Sequence, residues 1–447
     1  MKTSHLRTIA IVGVATAAVA GFALASEVAA GPSRVDVDLL AGVMQLVQQD
    51  YVHPVGSGEL TDAALKGMLS RLDPHSSYMT EQEFRESRED ISGKFGGVGL
   101  KITDHSGLPT VLSPIDDTPG ARAGLQPGDA IVSVDGQSTH GIDLMDVIRK
   151  IRGTPGSVVK LTIQRGSQSP FDVPLTRQII EVHSVKSRLE PNDVGYLRIS
   201  EFGAETPNEL KQAIMSLQHE ANGKLAGVVL DLRNDPGGLL TSAVDVSSDF
   251  LNGGTVVSIR GRNGNDDESF TAPASGALLP DTPMVVLVNG ASASASEIVA
   301  GALQDRHRAT VMGTQSFGKG SVQTIIPIKE HGALRLTTAL YYTASGRSIQ
   351  GDGITPDIVV QAAKDEQVEN SLIWREAQLH GAFANPGTLP NSDVTPGSKG
   401  ASPATASPPI KEQLIGTEQD SQLKAALSHL ERAPSANPTV IRTSAPG

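Results

Sequence analysis

The pattern of apolar and polar positions divides the chain into three regions. Between residues 35 and 90, apolar side chains such as Leu39 and Val43 recur at helical spacing, which predicts two or three short helices. Residues 91–178 carry short apolar runs separated by glycine-containing turns, with one helical stretch at 144–151. That mixture predicts a small β-rich module. Helices like those of the first region more often form a cap or a dimer contact than a functional site.

The third region, residues 179–360, alternates strands with helices. Continuous apolar runs occur at 227–232 and 284–288, and each is followed by a turn and then a helix. Such runs indicate strands that are buried on both faces. The repetition predicts a sheet with helices packed on it, and functional groups in such sheets lie at the carboxyl ends of the strands. The turns after these strands are therefore where chemistry is expected.

Both ends of the chain differ from the body. Residues 1–25 combine an early positive charge, an apolar run and an Ala-Leu-Ala site, which predicts a signal peptide for export. The apolar run is close to the shortest length that spans a membrane, so an uncleaved anchor is the alternative. Residues 361–447 are rich in Pro, Ser, Thr and Gly, which predicts a largely disordered, low-complexity tail. Short helices are expected in it at 369–379, around Trp374, and at 421–430.

Composition excludes several classes of function. The 447 residues contain 37 Lys and Arg against 49 Asp and Glu, a net charge of −12, which disfavours binding to nucleic acid. The absence of Cys excludes disulfides, thiolate nucleophiles and Cys-ligated zinc. The His-Glu-x-x-His motif is also absent, so we expect no metal and no other cofactor.

Two turns carry candidate catalytic groups. In the turn after the first buried strand, Gly237 and Gly238 allow backbone amides to converge on an oxyanion, although a tight turn without a ligand is the alternative. The turn after the second strand contains three serines, of which Ser294 with Glu297 fits a capping box. A helix that starts there also places the Ala295 amide beside any oxyanion formed on Ser294. Both a helix cap and a nucleophile remain open for Ser294.

A third turn, residues 313–323, holds a lysine between glycines. It almost matches a phosphate-binding loop, but Gly320 stands where the magnesium-binding hydroxyl is required. Ser316 and Lys319 match the Ser-x-x-Lys pattern of penicillin-binding proteins, but the flanking glycines argue against the helix that this pattern needs. Lys319 and Gln323 lie four residues apart, which places them on one face of a strand. The Gln323 amide can then hold the Lys319 amine in a shared pocket.

The β-rich module at 91–178 resembles a PDZ domain, and the Ala-Gly-Leu-Gln-Pro-Gly-Asp stretch at 123–129 is a specific part of the match. PDZ domains add an extended peptide as a strand and hold its carboxylate on backbone amides. An ordinary glycine turn is the alternative for the stretch that would form this amide nest. The nest residues would be Gly97, Val98, Gly99 and Leu100.

Together these features resemble the carboxyl-terminal processing peptidases, the tail-specific serine proteases. The match covers about residues 35–360, and its motifs lie at 231–238, 292–298, 317–323, 346–350 and 353–357. The resemblance implies that Ser294 is the nucleophile, that Lys319 is the general base and that Gln323 orients Lys319. It also implies oxyanion donors, which would be the amides of Ala295, Gly237 and Gly238.

The fold implied is a multidomain α+β or α/β protein. A signal peptide (1–25), a helical region (26–90) and a PDZ module (91–178) precede a mixed sheet-and-helix Ser/Lys protease core (179–360) and the tail (361–447). The function implied is that of an exported endopeptidase, periplasmic or anchored in the inner membrane, that cuts proteins near apolar C-termini read by the PDZ module. A homo-oligomer or an adaptor protein is compatible with the sequence.

Two other functions are compatible with parts of the sequence. One is a non-catalytic PDZ scaffold, in which Ser294 is a cap and Lys319 a surface charge. The other is a Ser-His-Asp protease that carries a PDZ domain. That family has a Gly-x-Ser-Gly-Gly motif and a PDZ domain after the catalytic domain, and this chain has neither feature.

Overall fold

The computed structural model describes residues 34–387 and 408–432, apart from residues 106, 116, 263, 265–266 and 369–374. The predicted signal peptide, Trp374 and most of the proline-rich stretch lie outside the described residues. The chain divides into two compact units, residues 1–64 and 65–447. No helix in the described ranges is long and apolar enough to cross a membrane.

The first elements of the chain confirm the helices expected there. They are α1 (Arg34–Asp50), α2 (Ser57–Leu69), β1 (Ser77–Met79), α3 (Glu81–Ser92) and β2 (Lys94–Gly97). The boundary between the two units falls within α2, inside the predicted helical region. Thr80 begins α3 with a capping box, in which its hydroxyl accepts from the Glu83 amide and the Glu83 carboxylate accepts from the Thr80 amide.

The β-rich module forms an antiparallel sheet with one long helix against it. Its elements are β3 (Leu100–His105), β4 (Leu108–Pro114), α4 (Pro119–Arg122), β5 (Ala130–Val134), β6 (Gln137–Ser138), α5 (Leu144–Ile151), β7 (Val158–Gln164) and β8 (Phe171–Thr176). The strand order is β3-β4-β5-β7-β8, which leaves β3 at an edge of the sheet. Strand β9 (Gln178–Glu181) then pairs with β2, so that the chain enters and leaves the module side by side.

The core that follows contains two sheets. Its elements are β10 (Val185–Glu190), β11 (Val194–Ile199), α6 (Thr206–Glu220), β12 (Gly227–Asp231), α7 (Leu240–Ser248), β13 (Thr255–Gly261), β14 (Glu268–Thr271), β15 (Met284–Val288), α8 (Ala295–Asp305), β16 (Thr310–Gly313), β17 (Ser321–Pro327), β18 (Ala333–Thr343) and β19 (Ile358–Val359). The strand–turn–helix repetition predicted from the sequence is confirmed at β12–α7 and β15–α8.

Strand order explains why the three predicted turns meet. The six-stranded sheet has the order β10-β11-β12-β15-β16-β19, and its strands from β11 onward are parallel. Because β12, β15 and β16 are neighbours with the same direction, their carboxyl ends and the turns that follow lie at one edge of the sheet. The second sheet has the order β1-β18-β13-β14, and β17 also pairs with β18.

Within the tail predicted at 361–447, the described residues include pieces that pack on the core. The helix expected at 421–430 is confirmed as α9 (Ser421–Arg432). Its apolar stripe of Leu423, Ala426 and Leu430 packs on one face of the six-stranded sheet. The spacing of the stripe could be recognised in the sequence, whereas the sheet face that receives it could not.

A buried ion-pair network attaches this part of the tail to the core. The Arg233 guanidinium has no exposed side-chain area and lies 2.5 Å from the Asp231 carboxylate and 2.6 Å from that of Asp420. Asp420 comes from the turn before α9, and Arg233 belongs to the turn after β12. A buried charge is tolerated only when it is paired and hydrogen-bonded, so this pairing fixes the tail to the edge of the sheet that carries the turns.

We expect Asp420→Ala to lower the free energy of unfolding by about 3–5 kcal/mol, because it leaves a buried guanidinium with one carboxylate instead of two. Urea denaturation followed by circular dichroism measures the change. Glu330→Ala, which removes an exposed partner of Lys329, is the matched control and should leave the midpoint unchanged. Equal midpoints for Asp420→Ala and the wild type would contradict the proposed attachment.

Candidate active site

A cavity of about 1110 Å³ lies at the edge of the sheet where the three turns meet. Ser294, Gly237, Gly238, Lys319 and Gln323 all line it. Ala295, the sixth candidate of the core, is buried directly behind Ser294 as the first residue of α8. The structure therefore brings together groups that lie up to 86 positions apart in the sequence (323 − 237).

Ser294 is the serine of its turn whose side chain reaches the cavity. Ser292 is buried, and its hydroxyl donates to the Leu232 carbonyl at 2.7 Å. Ser296 is also buried and donates to the Asp235 carbonyl at 3.0 Å. These two serines tie the turn after β15 to the turn after β12. Ser294 is half-buried and faces the cavity between them.

The backbone at Ser294 has a conformation that is unusual for a residue with a side chain. Its φ is 55° and its ψ is −113°, which costs roughly 1–3 kcal/mol and persists only where the surroundings impose it. Ser294 does occupy the N-cap of α8, and its N–H donates to the Glu297 carboxylate at 2.9 Å. The Glu297 half of the predicted capping box is therefore present, while the Ser294 hydroxyl makes no capping hydrogen bond and lines the cavity.

The turn after β12 approaches Ser294 so closely that it requires glycine. A Cβ added at Gly237 would lie 2.8 Å from both the Ser294 Cβ and the Ala295 nitrogen, distances that real Cβ atoms essentially never show. The φ of Gly237 is also +99°, in the region that L side chains rarely adopt. Gly237 thus allows the two turns to pack against each other.

The amides of this turn differ in their availability. The Gly237 N–H donates to the Asp235 carboxylate at 2.8 Å, so it is already occupied and does not fit the role of oxyanion donor expected for it. In the described part of the chain, the amides of Gly238 and Ala295 have no hydrogen-bond acceptor. The pair available to an oxyanion is therefore Gly238 with Ala295. The sequence could not separate Gly237 from Gly238 because the separation depends on the rotamer of Asp235.

Glu297 joins the turn that contains Ser294 to the loop of residues 314–320, the lysine loop, which contains Lys319. Its carboxylate is fully buried and accepts from the amides of Ser294 at 2.9 Å, Gly318 at 2.7 Å and Lys319 at 2.9 Å, and also from the Ser316 hydroxyl. Burial raises the pKa of Glu297 to about 7, against the opposing effect of these donors. The sequence identified Glu297 only as a capping residue, since nothing local shows that it also reaches residues 316–319.

Lys319 is partly buried in the cavity wall. Burial lowers the pKa of its amine from the usual value because removal from water penalises the ammonium form. The nearby carboxylates of Glu376, Glu297 and Asp73 oppose this shift, and the Arg335 guanidinium supports it. A lysine whose pKa is lowered in this way is better able to accept a proton near neutral pH than a solvated one.

Gln323 and Lys319 share the cavity, but not through the strand geometry that their spacing predicts. Lys319 precedes β17, which begins at Ser321, so the two residues do not share one face of a regular strand. Both still line the cavity. The Gln323 amide donates to Ser321 Oγ at 3.0 Å and to Thr337 Oγ1 at 3.2 Å. These bonds fix the side chain of Gln323 to β17 and β18, which sequence spacing alone could not reveal.

The helical N-terminal region also lines the site, although its sequence predicts a cap or a dimer contact. Strand β1 pairs with β18, and α3 follows it along the cavity wall with Glu83, Glu86 and Asp90. These carboxylates face a cavity that also contains Lys319 and Arg335. No catalytic motif marks them, because their place depends on the pairing of two strands about 250 residues apart (333 − 79 = 254).

The predicted amide nest of the PDZ module lies where the chain enters edge strand β3. The carbonyls of Val98 and Gly99 accept hydrogen bonds from within the module, whereas no acceptor for the amides of these two residues is found in the described ranges. Gly99 has a φ of +72°, and a Cβ there would lie 2.2 Å from the Thr118 Cβ. A substitution at Gly99 would therefore disturb the module itself and would not test ligand binding cleanly.

Comparison with known proteins agrees with this architecture. Residues 193–360 match the sequence model of peptidase family S41, residues 110–165 match a PDZ domain, and residues 23–83 match the N-terminal domain of the activating protease CtpB. The chain is 49% identical to a carboxy-terminal-processing protease of Bartonella bacilliformis over 76% of this chain and 78% of that protein. It is 37% identical to a CtpA-like serine protease of Staphylococcus epidermidis over 74% of this chain and 67% of that one.

Among solved structures, the photosystem II D1 C-terminal processing protease matches with 29% identity and a TM-score of 0.45, over 72% of this chain and 92% of that one. The sequence identities to the two bacterial proteases extend over about three quarters of this chain and at least two thirds of each relative. The chain therefore belongs to the carboxyl-terminal processing peptidases, PDZ-containing serine proteases of peptidase family S41.

Proposed function

We propose that this serine protease is exported and cuts proteins near their C-termini, with Ser294 as nucleophile and Lys319 as general base. The observation that carries the proposal is that Ser294, held in a strained conformation, shares one cavity with a lysine whose pKa is lowered by burial. No histidine lines this cavity among the described residues, which disfavours a Ser-His-Asp arrangement.

The chemistry would proceed through an acyl-enzyme. The Ser294 hydroxyl attacks the scissile carbonyl carbon while the neutral Lys319 amine takes its proton. The amides of Gly238 and Ala295 stabilise the negative oxygen of the tetrahedral intermediate. The C–N bond then breaks, and the Lys319 ammonium gives its proton to the leaving amine. In the second half of the reaction, Lys319 takes a proton from water and the water oxygen attacks the acyl carbon. The ester bond to Ser294 then breaks, and the Lys319 ammonium returns the proton to the Ser294 oxygen.

Two strands that lack a second neighbour among the described residues support an extended substrate. Strand β17 pairs with β18 on one side, and its residues 321–325 line the cavity beside Lys319. Strand β3 is the edge strand of the PDZ sheet, next to the amides of Val98 and Gly99. An unfolded tail can add to either edge by backbone hydrogen bonds. We propose that the PDZ edge holds the apolar C-terminus and that the β17 edge presents the bond to be cut.

Export rests on the sequence of residues 1–25, and so does the proposed periplasmic location. The same residues would keep the protein at the inner membrane if the signal is not cleaved. Fractionation of cells that produce the full chain, followed by N-terminal sequencing of the protein recovered, tests both points. A protein retained in the cytoplasm with residue 1 intact would contradict them.

We expect Ser294→Ala to lower kcat by several orders of magnitude, up to about 10⁶-fold, without unfolding the protein. Cleavage of a peptide substrate measures the loss, and circular dichroism verifies the fold. Ser292→Ala and Ser296→Ala are matched controls, since each removes a buried hydroxyl of the same turn. They should cost about 1–3 kcal/mol of stability and leave cleavage measurable. Full activity in Ser294→Ala would refute the assignment of the nucleophile.

Activity should show an acidic limb governed by Lys319. The base works in its neutral form, so kcat/KM falls about tenfold per pH unit below the lysine pKa and recovers as the pH rises through it. Lys319→Ala should remove activity at every pH, whereas Gln323→Ala should reduce it less because an amide transfers no proton. Lys329→Ala, at a fully exposed lysine, is the control. A profile that is flat from about pH 5 to 9, with chemistry rate-limiting, would count against a lysine base.

Blocking the substrate carboxylate should weaken cleavage through the PDZ module. A charge-assisted hydrogen bond contributes about 1.5–3 kcal/mol, so amidation of an apolar-tailed peptide should lower kcat/KM roughly 10-fold to 150-fold. The control pair is the same peptide with a terminal aspartate, free and amidated, which should be cut slowly in both forms. Equal rates for the two apolar-tailed peptides would show that the module does not recognise the terminus.

A further inference from the structure

We infer that Glu376, paired with His75, is a positioning residue that holds the lysine loop in place and presents a negative charge to the Lys319 ammonium. The inference rests on the proposed role of Lys319 as base. Glu376 lies in the tail, beyond residues 193–360 that match the protease family. It forms part of a short 3-10 helix, Glu376–Gln378, that packs against the core.

The Glu376 side chain is fully buried and has partners from two distant parts of the chain. The His75 imidazole donates from Nε2 to the carboxylate, with distances of 2.8 and 3.0 Å to its two oxygens. The Gln350 amide donates to Oε1 at 2.9 Å. Gln350 Oε1 in turn accepts from the Gly320 N–H at 2.9 Å. Glu376 is thus linked through one amide side chain to the residue that follows Lys319.

The backbone of the same segment holds the other side of the lysine loop. The Glu376 N–H donates to the Phe317 carbonyl at 3.2 Å. The preceding Arg375 donates to the Ser316 carbonyl at 3.3 Å and to the Asp352 carbonyl at 2.6 Å. Residues 375–376 therefore hold the loop before Lys319, and the Gln350 bridge holds it after Lys319. A shift of Glu376 would move the lysine at both points.

The charges that face Lys319 give Glu376 a distinct role. Glu376, Glu297 and Asp73 favour the ammonium, and Arg335 opposes it, with Glu376 the strongest of these charges. Glu297 is occupied by loop donors, and the Asp73 carboxylate accepts from the backbone of residues 75 and 76 and from neighbouring hydroxyls. Of these three carboxylates, that of Glu376 is paired with an ionisable side chain, the imidazole of His75.

Catalysis needs Lys319 first to accept the proton of Ser294 and then to hold it until the leaving amine takes it. A buried lysine whose pKa falls too far would accept the serine proton poorly and would not hold it for the leaving amine. The Glu376 carboxylate stabilises the ammonium and so supports the proton-holding half of the cycle. Burial and Glu376 therefore act on Lys319 in opposite directions.

The test compares the pH dependence of kcat/KM in Glu376→Gln and wild type. The glutamine keeps the shape of the side chain and one acceptor oxygen for the Gln350 amide, and its NH2 group replaces the second oxygen. The negative charge is removed, so the acidic limb should move to lower pH by about 1 pH unit. Glu366→Gln is the matched control. Glu366 is also a buried tail glutamate, but it binds Ser421 and is not among the charges that face Lys319. Its limb should stay in place.

A merely structural role for Glu376 would lower the rate equally at every pH and leave the limb where it is, which would overturn the inference. Circular dichroism checks that each variant is folded. Glu376→Ala, which also deletes the charge, replaces the glutamine variant where that one is unstable and should move the limb in the same direction.

A second readout does not depend on catalysis. In a Ser294→Ala background, the rate at which acetic anhydride acylates Lys319 can be followed against pH by mass spectrometry. Removing the Glu376 charge should move this titration to lower pH, and an unmoved titration would refute the inference. Activity that survives Lys319→Ala would refute the proposed base instead, so the two failures can be told apart.

Discussion

The active site depends on one buried carboxylate. Glu297 has no exposed area, yet it accepts hydrogen bonds from the amides of Ser294 and Lys319, the two residues of the proposed dyad. A buried carboxylate without partners would be strongly unfavourable, so its partners must stay in place for the fold to persist. The same bonds that compensate for this burial also fix the positions of Ser294 and Lys319 relative to each other. Geometry needed for chemistry is thereby coupled to the stability of α8.

The turn after β12 is held to this arrangement by polar contacts. The Asn289 side chain accepts a hydrogen bond from the Asn234 backbone N–H at 3.0 Å and donates one to the Asn234 side-chain oxygen at 2.7 Å. The Asn234 side chain also donates to the carbonyl of Ile410 in the tail at 2.7 Å. Because strands β12 and β15 are neighbours, these bonds join the turn that carries Gly238 to the turn that carries Ser294. The tail thus supports the site through Arg233 and Asn234 of this turn and through Glu376.

The sequence predicted those parts of the site that have a local signature. The apolar runs at 227–232 and 284–288 identified the two central strands, and the capping pattern placed Ser294 at the start of a helix. What it could not show depends on contacts between distant segments. The occupation of the Gly237 amide, the position of α3 and the pairing of Arg233 with Asp420 all arise from packing between elements that no local pattern connects. A tail of low complexity likewise concealed residues such as Glu376, whose role appears only beside the lysine loop.

The left-handed backbone at position 294 restricts the chemistry that this scaffold can adopt. A β-branched side chain at positive φ is a genuine outlier, so a threonine nucleophile would add its own steric strain to that already present. Cysteine carries no such branch and would fit the same backbone. Replacement of Ser294 by cysteine during evolution is therefore sterically possible, whereas replacement by threonine is disfavoured. Both statements hold whatever base stands beside the nucleophile.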